Sequence, residues 1–303
     1  MTATSGGGFC LMTEGLGLAA MTETPLLIII AQRPGPATGL PTRTAQADLL
    51  YSIWASQDEF PRFVMAPGTP AQAYGTMAKG LHLADKYQVP VIVLADQYLT
   101  DSVWITQEEF EVPEKVERFV ENSPDPATYK RYALTESGVS PRALPGRGRA
   151  TFWVSGNEHS VDGHITEDKD ERKAMVGKRM AKLKGMRAEM DPPLVNHPRA
   201  ETFLVGWGST YGALAEAVEI LQKEGENVGH IHFCDLWPFP VEAFLDAVGQ
   251  DREFRTVELN HQSQLAALIR QETGLSAGAG LTKYDGRPFF PQEIADEFRN
   301  RSG

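Results

Sequence analysis

The stretch Pro25-Leu26-Leu27-Ile28-Ile29-Ile30-Ala31 constrains this chain more than any other. From Leu26 to Ala31 it is continuously apolar and rich in β-branched residues, without the polar alternation of a strand that has one wet face. It therefore predicts a parallel strand covered on both sides. Val89 to Leu94 has the same texture and ends in the polar pair Asp96-Gln97, while Arg62 to Ala66 is a weaker strand candidate. Between them, Thr69-Pro70 reads as an N-cap followed by a proline in the first helical position. Ala73, Met77, Leu81 and Ala84 continue at helical spacing to Tyr87. Strand, turn, helix and strand in this order predict an α/β layer structure.

At about 150 residues per domain, 303 residues suggest two domains. The segment from about residue 105 to 165 is broken by Pro113, Pro124, Pro126, Pro141, Pro145 and the Gly146-Arg147-Gly148-Arg149 run, and reads as a long connection with little core of its own. After Thr166 a helix is expected to about Met190. Its first turn is acidic (Glu167, Asp168, Asp170, Glu171) and its later turns basic (Lys178, Arg179, Lys182, Lys184, Arg187), matching the helix dipole. Its four methionines are expected to pack between the domains. From Glu201 the alternation returns: strands at Thr202–Val205, Val228–Cys234 and Thr256–Leu259, and helices at Tyr211–Glu224, Val241–Val248 and Gln264–Thr273, a small parallel α/β unit. The expected divisions are thus 1–165, a helical linker over 166–200, and 201–303.

Composition excludes several classes. A net charge of −11 argues against nucleic acid or an anionic membrane as partner. The longest apolar run is far short of the ~20 residues that span a bilayer, and the first twenty residues lack a basic signal region. Cys10 and Cys234 cannot supply a CxxC pair, a four-cysteine zinc site or an iron–sulfur ligand set, and a reducing cytoplasm is the simplest setting.

Four motifs are candidates for chemistry. Gly6-Gly7-Gly8, framed by Ser5 and Phe9, reads as a turn whose backbone a ligand can approach closely. Gln32 to Thr42 lies just beyond the carboxyl end of the Leu26–Ala31 strand, where open parallel sheets place ligands, so Arg33 is positioned to pair with a carboxylate or phosphate. Asn157 to His164 holds Glu158, His159, Asp162 and His164, but the spacing does not put both histidines on one helix face, and a solvated polar loop is expected. Gly206-Trp207-Gly208-Ser209 fits neither G-x-G-x-x-G nor G-x-S-x-G, and close strand–helix packing is the expected reason for its glycines.

The residues carry a resemblance beyond spacing. Thr2-Ala3-Thr4-Ser5-Gly6-Gly7-Gly8-Phe9 with Met12-Thr13-Glu14-Gly15-Leu16-Gly17-Leu18-Ala19 resembles a characteristic block of 2-oxoacid:ferredoxin oxidoreductase alpha subunits. The Gln32–Thr42 loop, Pro90 to Leu99, Gly156-Asn157-Glu158-His159, Gly163 to Asp168 and Gly206 to Thr210 continue it in the same order over nearly the whole chain. The implied fold is α/β: the latter part of a thiamine-diphosphate pyrimidine-binding domain with its extension, then a smaller transketolase C-terminal-like parallel α/β domain. The implied reaction is oxidative decarboxylation of a 2-oxoacid, 2-oxoglutarate favoured, to acyl-CoA with reduction of ferredoxin.

By the same resemblance, Arg33 would bind the substrate carboxylate, and Ser5, Gly6, Gly8 and Phe9 would form the loop beside the aminopyrimidine. The beta subunit would supply the diphosphate site with magnesium and carry the iron–sulfur cluster. A separate gamma-type domain would be a further partner. No catalytic residue or metal ligand is assigned to this chain. Gly7 stands where the family has proline, and Pro34 where it has glycine. The family's pyrimidine domain begins ahead of the position of Thr2, so the chain reads as a large part of such a subunit, inactive alone. The alternative is a non-catalytic remnant or assembly module of such a complex.

Overall fold

The computed structural model describes residues 1–105, 110, 116–249 and 252–302; Pro113, counted above among the breaks, lies outside the described residues. The first half runs β1 (Thr2–Thr4), α1 (Gly6–Met21), β2 (Leu26–Gln32), α2 (Leu49–Trp54), β3 (Phe63–Met65), α3 (Pro70–Tyr87), β4 (Pro90–Asp96) and α4 (Gln97–Thr100). Residues 116–168 are irregular and lead to α5 (Lys169–Ala188). The second half runs β5 (Leu194–Asn196), β6 (Thr202–Trp207), a single 3-10 turn (Gly208–Thr210), α6 (Tyr211–Lys223), β7 (Val228–Phe233), β8 (Asp235–Trp237), α7 (Val241–Val248), β9 (Glu253–Glu258), α8 (Gln264–Thr273), β10 (Leu281–Thr282) and α9 (Pro291–Ser302).

Among the described residues two five-stranded sheets result, in the orders β1-β2-β4-β3-β8 and β10-β9-β6-β7-β5. The first is parallel except for β8, and the second parallel except for β5. The apolar runs at Leu26 and Pro90 pair along their whole length, from Leu26↔Pro90 to Gln32↔Asp96. One face of this pair (Ile28, Ile30, Ile92, Leu94) packs on Phe9 and Leu16 of α1 and belongs to a core that continues into the second half through Phe203, Trp207, Phe233 and Leu265. The other face (Leu27, Val91, Val93) packs with Phe63 and Met65 of β3 on Leu83 and Tyr87 of α3, and on Met186 and Met190. Burial on both faces is why these strands lack polar alternation.

Several expectations are corrected. Gly6-Gly7-Gly8 is not a free turn: it is the first turn of α1, entered from Ser5 in extended geometry (φ −115°, ψ 177°). Helix propensity argues against three glycines, but side chains at Gly6 and Gly8 would collide with Asp48 and Thr4. Thr2–Thr4, unrecognised as a strand, pairs with Ile28–Ile30, so β2 is flanked on both sides and β1 forms the sheet edge. Helix α5 ends at Ala188, short of the expected Met190, and Met186 within it and Met190 just beyond it serve the first sheet's core, not a seam between halves. Gly206 does serve close packing, since a Cβ there would lie 2.2 Å from Leu214 of α6.

The connecting segment is irregular but not detached. Arg131, Tyr132, Ala143 and His159 are buried, with the Tyr132 and His159 rings 4.0 Å apart. Nor is Glu158 in a solvated loop: it accepts from Arg172 Nη1 at 2.5 Å and from both terminal nitrogens of Arg179 at 2.9 and 2.8 Å. Burial opposes its charge, but the two guanidiniums prevail and lower its pKa to about 2.

A second buried charge fixes α5 to the first sheet. Glu23, fully buried just before β2, accepts from Lys178 Nζ at 2.5 Å and Lys182 Nζ at 2.7 Å, both on α5. Arg131 donates to the Thr22 and Glu23 carbonyls beside it. Burial raises the carboxyl's pKa, yet the two ammoniums outweigh this and hold it down to about 2. Because that value is below the unfolded one of about 4.5, Glu23 contributes its full stability above pH 4.5 and loses it as pH falls toward 2. Glu23→Gln leaves two buried ammoniums uncompensated. It should cost about 3–5 kcal/mol in denaturant unfolding at pH 7, with the gap to wild type narrowing between pH 4.5 and 2.

Candidate functional site

The carboxyl ends of β1, β2 and β4 meet on one side of the first sheet, and the polar residues that end these strands are brought together there. Ser5 caps α1 through its backbone, and its side chain makes no cap bond. The first bond of the helix runs from Phe9 N–H to the Ser5 carbonyl at 2.8 Å. The amides of Gly6, Gly7 and Gly8 precede it and have no intrahelical acceptor. Phe9 itself turns inward, fully buried and edge-on to Tyr51 at 5.3 Å, so it supports this turn from beneath.

The absence of side chains here has steric causes. A Cβ on Gly6 would lie 3.0 and 3.1 Å from the Asp48 carboxylate oxygens, and one on Gly8 2.0 Å from Thr4 Oγ1. A Cβ on Gly7 would meet only the Ala37 carbonyl, at 3.9 Å. That contact brings together two motifs distant in sequence: the loop from Arg33 to Thr42 lies against the start of α1. The loop is tightly folded where Leu40 N–H donates to the Pro34 carbonyl at 3.1 Å, a turn that uses Gly39 at φ +51°. Arg33 follows the last residue of β2, half-buried, and no carboxylate pairs with it among the described residues. Arg43, at the far end of the loop, is exposed and packs near Gly286 of the second half.

Two carboxyl groups complete the strand ends. Asp96, the last residue of β4, accepts from Leu99 N–H at 3.0 Å and from Ser209 Oγ; burial raises its pKa and these bonds only partly offset it. Asp48 is held through its backbone N–H, which donates to Gln32 Oε1 at 3.1 Å, while its own Oδ2 is buried with no hydrogen-bond partner. Burial alone pushes the Asp48 carboxyl up to about 6. Nothing in the sequence singles out Asp48. It lies in an unpatterned stretch after the loop, and only the fold carries it to Gly6. A cluster of carboxyl, guanidinium and open backbone amides suits a ligand with both anionic and hydrogen-bonding groups.

The other candidates lie elsewhere. Glu158 and His159 are engaged with α5 and Tyr132, and among the described residues no group of three or more His, Cys, Asp or Glu side chains could hold a metal. Ser209 reaches the site's rim through Asp96, and the remaining Gly206–Thr210 residues join β6 to α6. Two hollows of about 580 Å³ also lie away from these strand ends, one beside Leu26, Leu81 and Val116, the other beside Phe119, Pro141 and Arg147.

The two mostly parallel sheets with helices on their faces define an α/β protein whose candidate site lies at the strand ends. Residues 1–178 match the family described as pyruvate flavodoxin/ferredoxin oxidoreductase, thiamine diphosphate-binding, and residues 200–294 match pyruvate:ferredoxin oxidoreductase core domain II. The chain belongs to this oxidoreductase family. It is 38% identical over 301 residues to the alpha subunit of 2-oxoacid:ferredoxin oxidoreductase 1 from Sulfurisphaera tokodaii, covering 97% of this chain and 47% of that one. It is 30% identical to the 2-oxoglutarate synthase subunit KorA of Methanothermobacter marburgensis, covering 98% and 79%. A solved structure, 2-oxoglutarate:ferredoxin oxidoreductase from Magnetococcus marinus with 2-oxoglutarate, coenzyme A and succinyl-CoA bound, superposes with a TM-score of 0.89 at 33% identity, over 100% of this chain and 53% of that one. The chain thus spans about half the length of the first of these relatives. No helix among the described residues is long and apolar enough to cross a membrane.

The unpartnered Asp48 carboxyl has a stability cost whose sign is fixed. Its folded pKa, about 6, lies above the unfolded value near 3.8, so the wild type loses stability as pH rises through that window and does not regain it. Asp48→Asn should therefore match wild type near pH 3.5 and exceed it by about 1–2 kcal/mol at pH 8, read from thermal unfolding at the two pH values.

Proposed function

We propose that this chain is the alpha subunit, or a large part of it, of a thiamine-diphosphate-dependent 2-oxoacid:ferredoxin oxidoreductase. The reaction is oxidative decarboxylation of a 2-oxoacid to acyl-CoA with reduction of ferredoxin, in the cytoplasm. The observation that carries this reading is Arg33 at the end of β2, unpaired with any carboxylate among the described residues, in a loop whose Ala37 lies against the start of α1. The family match supports the reaction class. The 2-oxoglutarate named for the Magnetococcus structure and the 2-oxoglutarate synthase relative favour that acid as substrate.

The residues fit the cofactor's aminopyrimidine. Gly6 and Gly8 let Asp48 and Thr4 close directly on the start of α1, Gly7 between them leaves the backbone open where a flat polar ring needs room, Ser5 offers a hydroxyl not spent on capping, and Phe9 braces the turn from the core. When bound, the cofactor supplies an electron sink for the carbanion left as carbon dioxide departs. Arg33 holds the substrate carboxylate by a bidentate, charge-assisted contact, fixing the acid's orientation and stabilising its charge. Asp48, poised near neutrality, can hold or release a proton at Oδ2 beside Gly6. In this reading a beta subunit contributes the diphosphate site with magnesium and the iron–sulfur cluster, and a gamma-type domain completes the assembly. The exposed loop over residues 35–43 is consistent with a site closed by another chain.

The test is steady-state kinetics of the assembled enzyme with saturating CoA and a viologen acceptor. Arg33→Ala should raise KM for the 2-oxoacid and lower kcat/KM by about 2–4 kcal/mol. Arg33→Lys should recover little, because one ammonium cannot reproduce the planar fork, and Arg43→Ala should cost much less. Unimpaired Arg33→Ala kinetics would remove the substrate clamp. An assembled complex inactive toward every 2-oxoacid would favour the non-catalytic assembly module instead.

A further inference from the structure

The loop that carries Arg33 has few fixed points. Residues 35–43 are exposed, and its internal hydrogen bond is the one from Leu40 to Pro34. Its upstream end is Gln32, buried in β2, whose Oε1 also accepts Asp48 N–H and so draws the two ends of the loop together. Its downstream end is Gln46, which has no solvent exposure and whose backbone and side chain both bond to the second half of the chain.

Four hydrogen bonds make that attachment. Gln46 N–H donates to the Leu259 carbonyl at 2.8 Å, and Asn260 Nδ2 donates to the Gln46 carbonyl at 3.0 Å. The side chain then donates from Nε2 to the Trp207 carbonyl at 2.6 Å and accepts from Leu259 N–H at 3.1 Å. Trp207 ends β6, and Leu259 follows β9. The pairing of these neighbouring strands stops at Val205↔Thr256. Past that point their buried peptide groups need other partners, and the glutamine amide, with one donor face and one acceptor face like a peptide, fills the gap. Gln264 reinforces the contact, donating to the Ala47 carbonyl at 2.8 Å and accepting from Leu50 N–H at 3.0 Å.

We infer that Gln46 is a positioning residue: bridging the ends of β6 and β9, it fixes the downstream end of the Arg33 loop and so sets where the guanidinium meets the substrate carboxylate. The second half of the chain thereby takes part in substrate binding without touching substrate. This rests on the proposed role of Arg33. The physical basis is loop closure. With both ends held, few loop conformations remain, and releasing one end multiplies them at little enthalpic cost to the rest of the fold.

The experiment uses Gln46→Met, which keeps the side chain's length and loses both of its hydrogen bonds. In the assembled enzyme, KM for the 2-oxoacid should rise about tenfold with kcat within about threefold and KM for CoA unchanged. In an Arg33→Ala background the same substitution should add nothing to KM, because both act through one contact. Amide hydrogen exchange over residues 33–43 should quicken while exchange in β2 and β4 stays as in wild type. A purely structural role predicts instead a lower unfolding temperature, a lower kcat, an unchanged KM, and equal effects in both backgrounds; that pattern, or unaltered exchange in the loop, overturns the inference. If Gln46→Met does not fold, Asn260→Ala removes one of the four bonds and should give the same changes at smaller amplitude, with an unchanged loop and KM again overturning it. Should Arg33→Ala itself leave KM untouched, the clamp fails, and the exchange measurement still decides whether Gln46 orders the loop.

Discussion

The pairing of β2 with β4 is the constraint from which the rest of this structure follows. Seven residues of each strand lie in parallel register, and neither strand has a face that can tolerate water. Covering both faces requires helices on each side, and α1 with the second half supplies one layer while α3 and α5 supply the other. Parallel strands also deliver their polar final residues to one edge. Gln32, Arg33 and Asp96 are neighbours for that reason, and the helix following β1 starts beside them. The candidate site is therefore a consequence of strand direction before any side chain is chosen.

Three carboxyls of the first half contrast in what surrounds them. Glu23 and Glu158 each face two cations across short contacts, so their charge is retained and serves to tie α5 and the connecting segment to the first sheet. Asp48 sits in comparable burial with its Oδ2 facing no donor at all. A structural ion network satisfies its members, whereas a group left unsatisfied at the mouth of a sheet is tolerated at a cost in stability, the pattern expected where chemistry, not folding, sets the residue. The direction of the pKa change separates them, downward for the first two and upward for Asp48.

Much of this was legible in the sequence, and what was not has identifiable causes. The strands at Leu26 and Pro90 and the helices at Pro70, Lys169 and Tyr211 were readable because apolar periodicity and end signals agreed: Thr69 accepts from Gln72 N–H as its position suggested, while Asp168, read as part of the first turn, instead caps α5 by accepting from two amides. Family resemblance placed the Arg33 loop and Ser5–Phe9 in order, but not the approach of Ala37 to Gly7. Helix α1 was hidden by its glycines, which propensity reads as a turn; two of them, Gly6 and Gly8, are required by the fold because Asp48 and Thr4 occupy the space of their side chains. The three-residue strands β1 and β8 carry no pattern of their own and exist because longer strands template them. Gln46 and Asp48 were invisible because a buried polar residue in a loop announces nothing until its partners, more than two hundred residues away for Leu259, are in place.

That distance bears on how the two halves relate. The chain matches two family regions and has two sheets, yet β8 of the second half pairs with β3 and closes the first sheet, and one apolar core runs from Ile28 and Ile92 to Phe203 and Trp207. Polar ties follow the same seam: Ser209 to Asp96, Lys79 of α3 to Asp235 of β8 at 2.6 Å, and Gln46 to the ends of β6 and β9. Loosely joined domains move as units across small polar interfaces. Here a strand, a core and the anchor of the Arg33 loop are shared, so displacement of the second half would strip hydrogen bonds from the candidate site itself. The second half is thereby part of the candidate site's construction, through the hydrogen bonds it makes to Gln46 and Asp96.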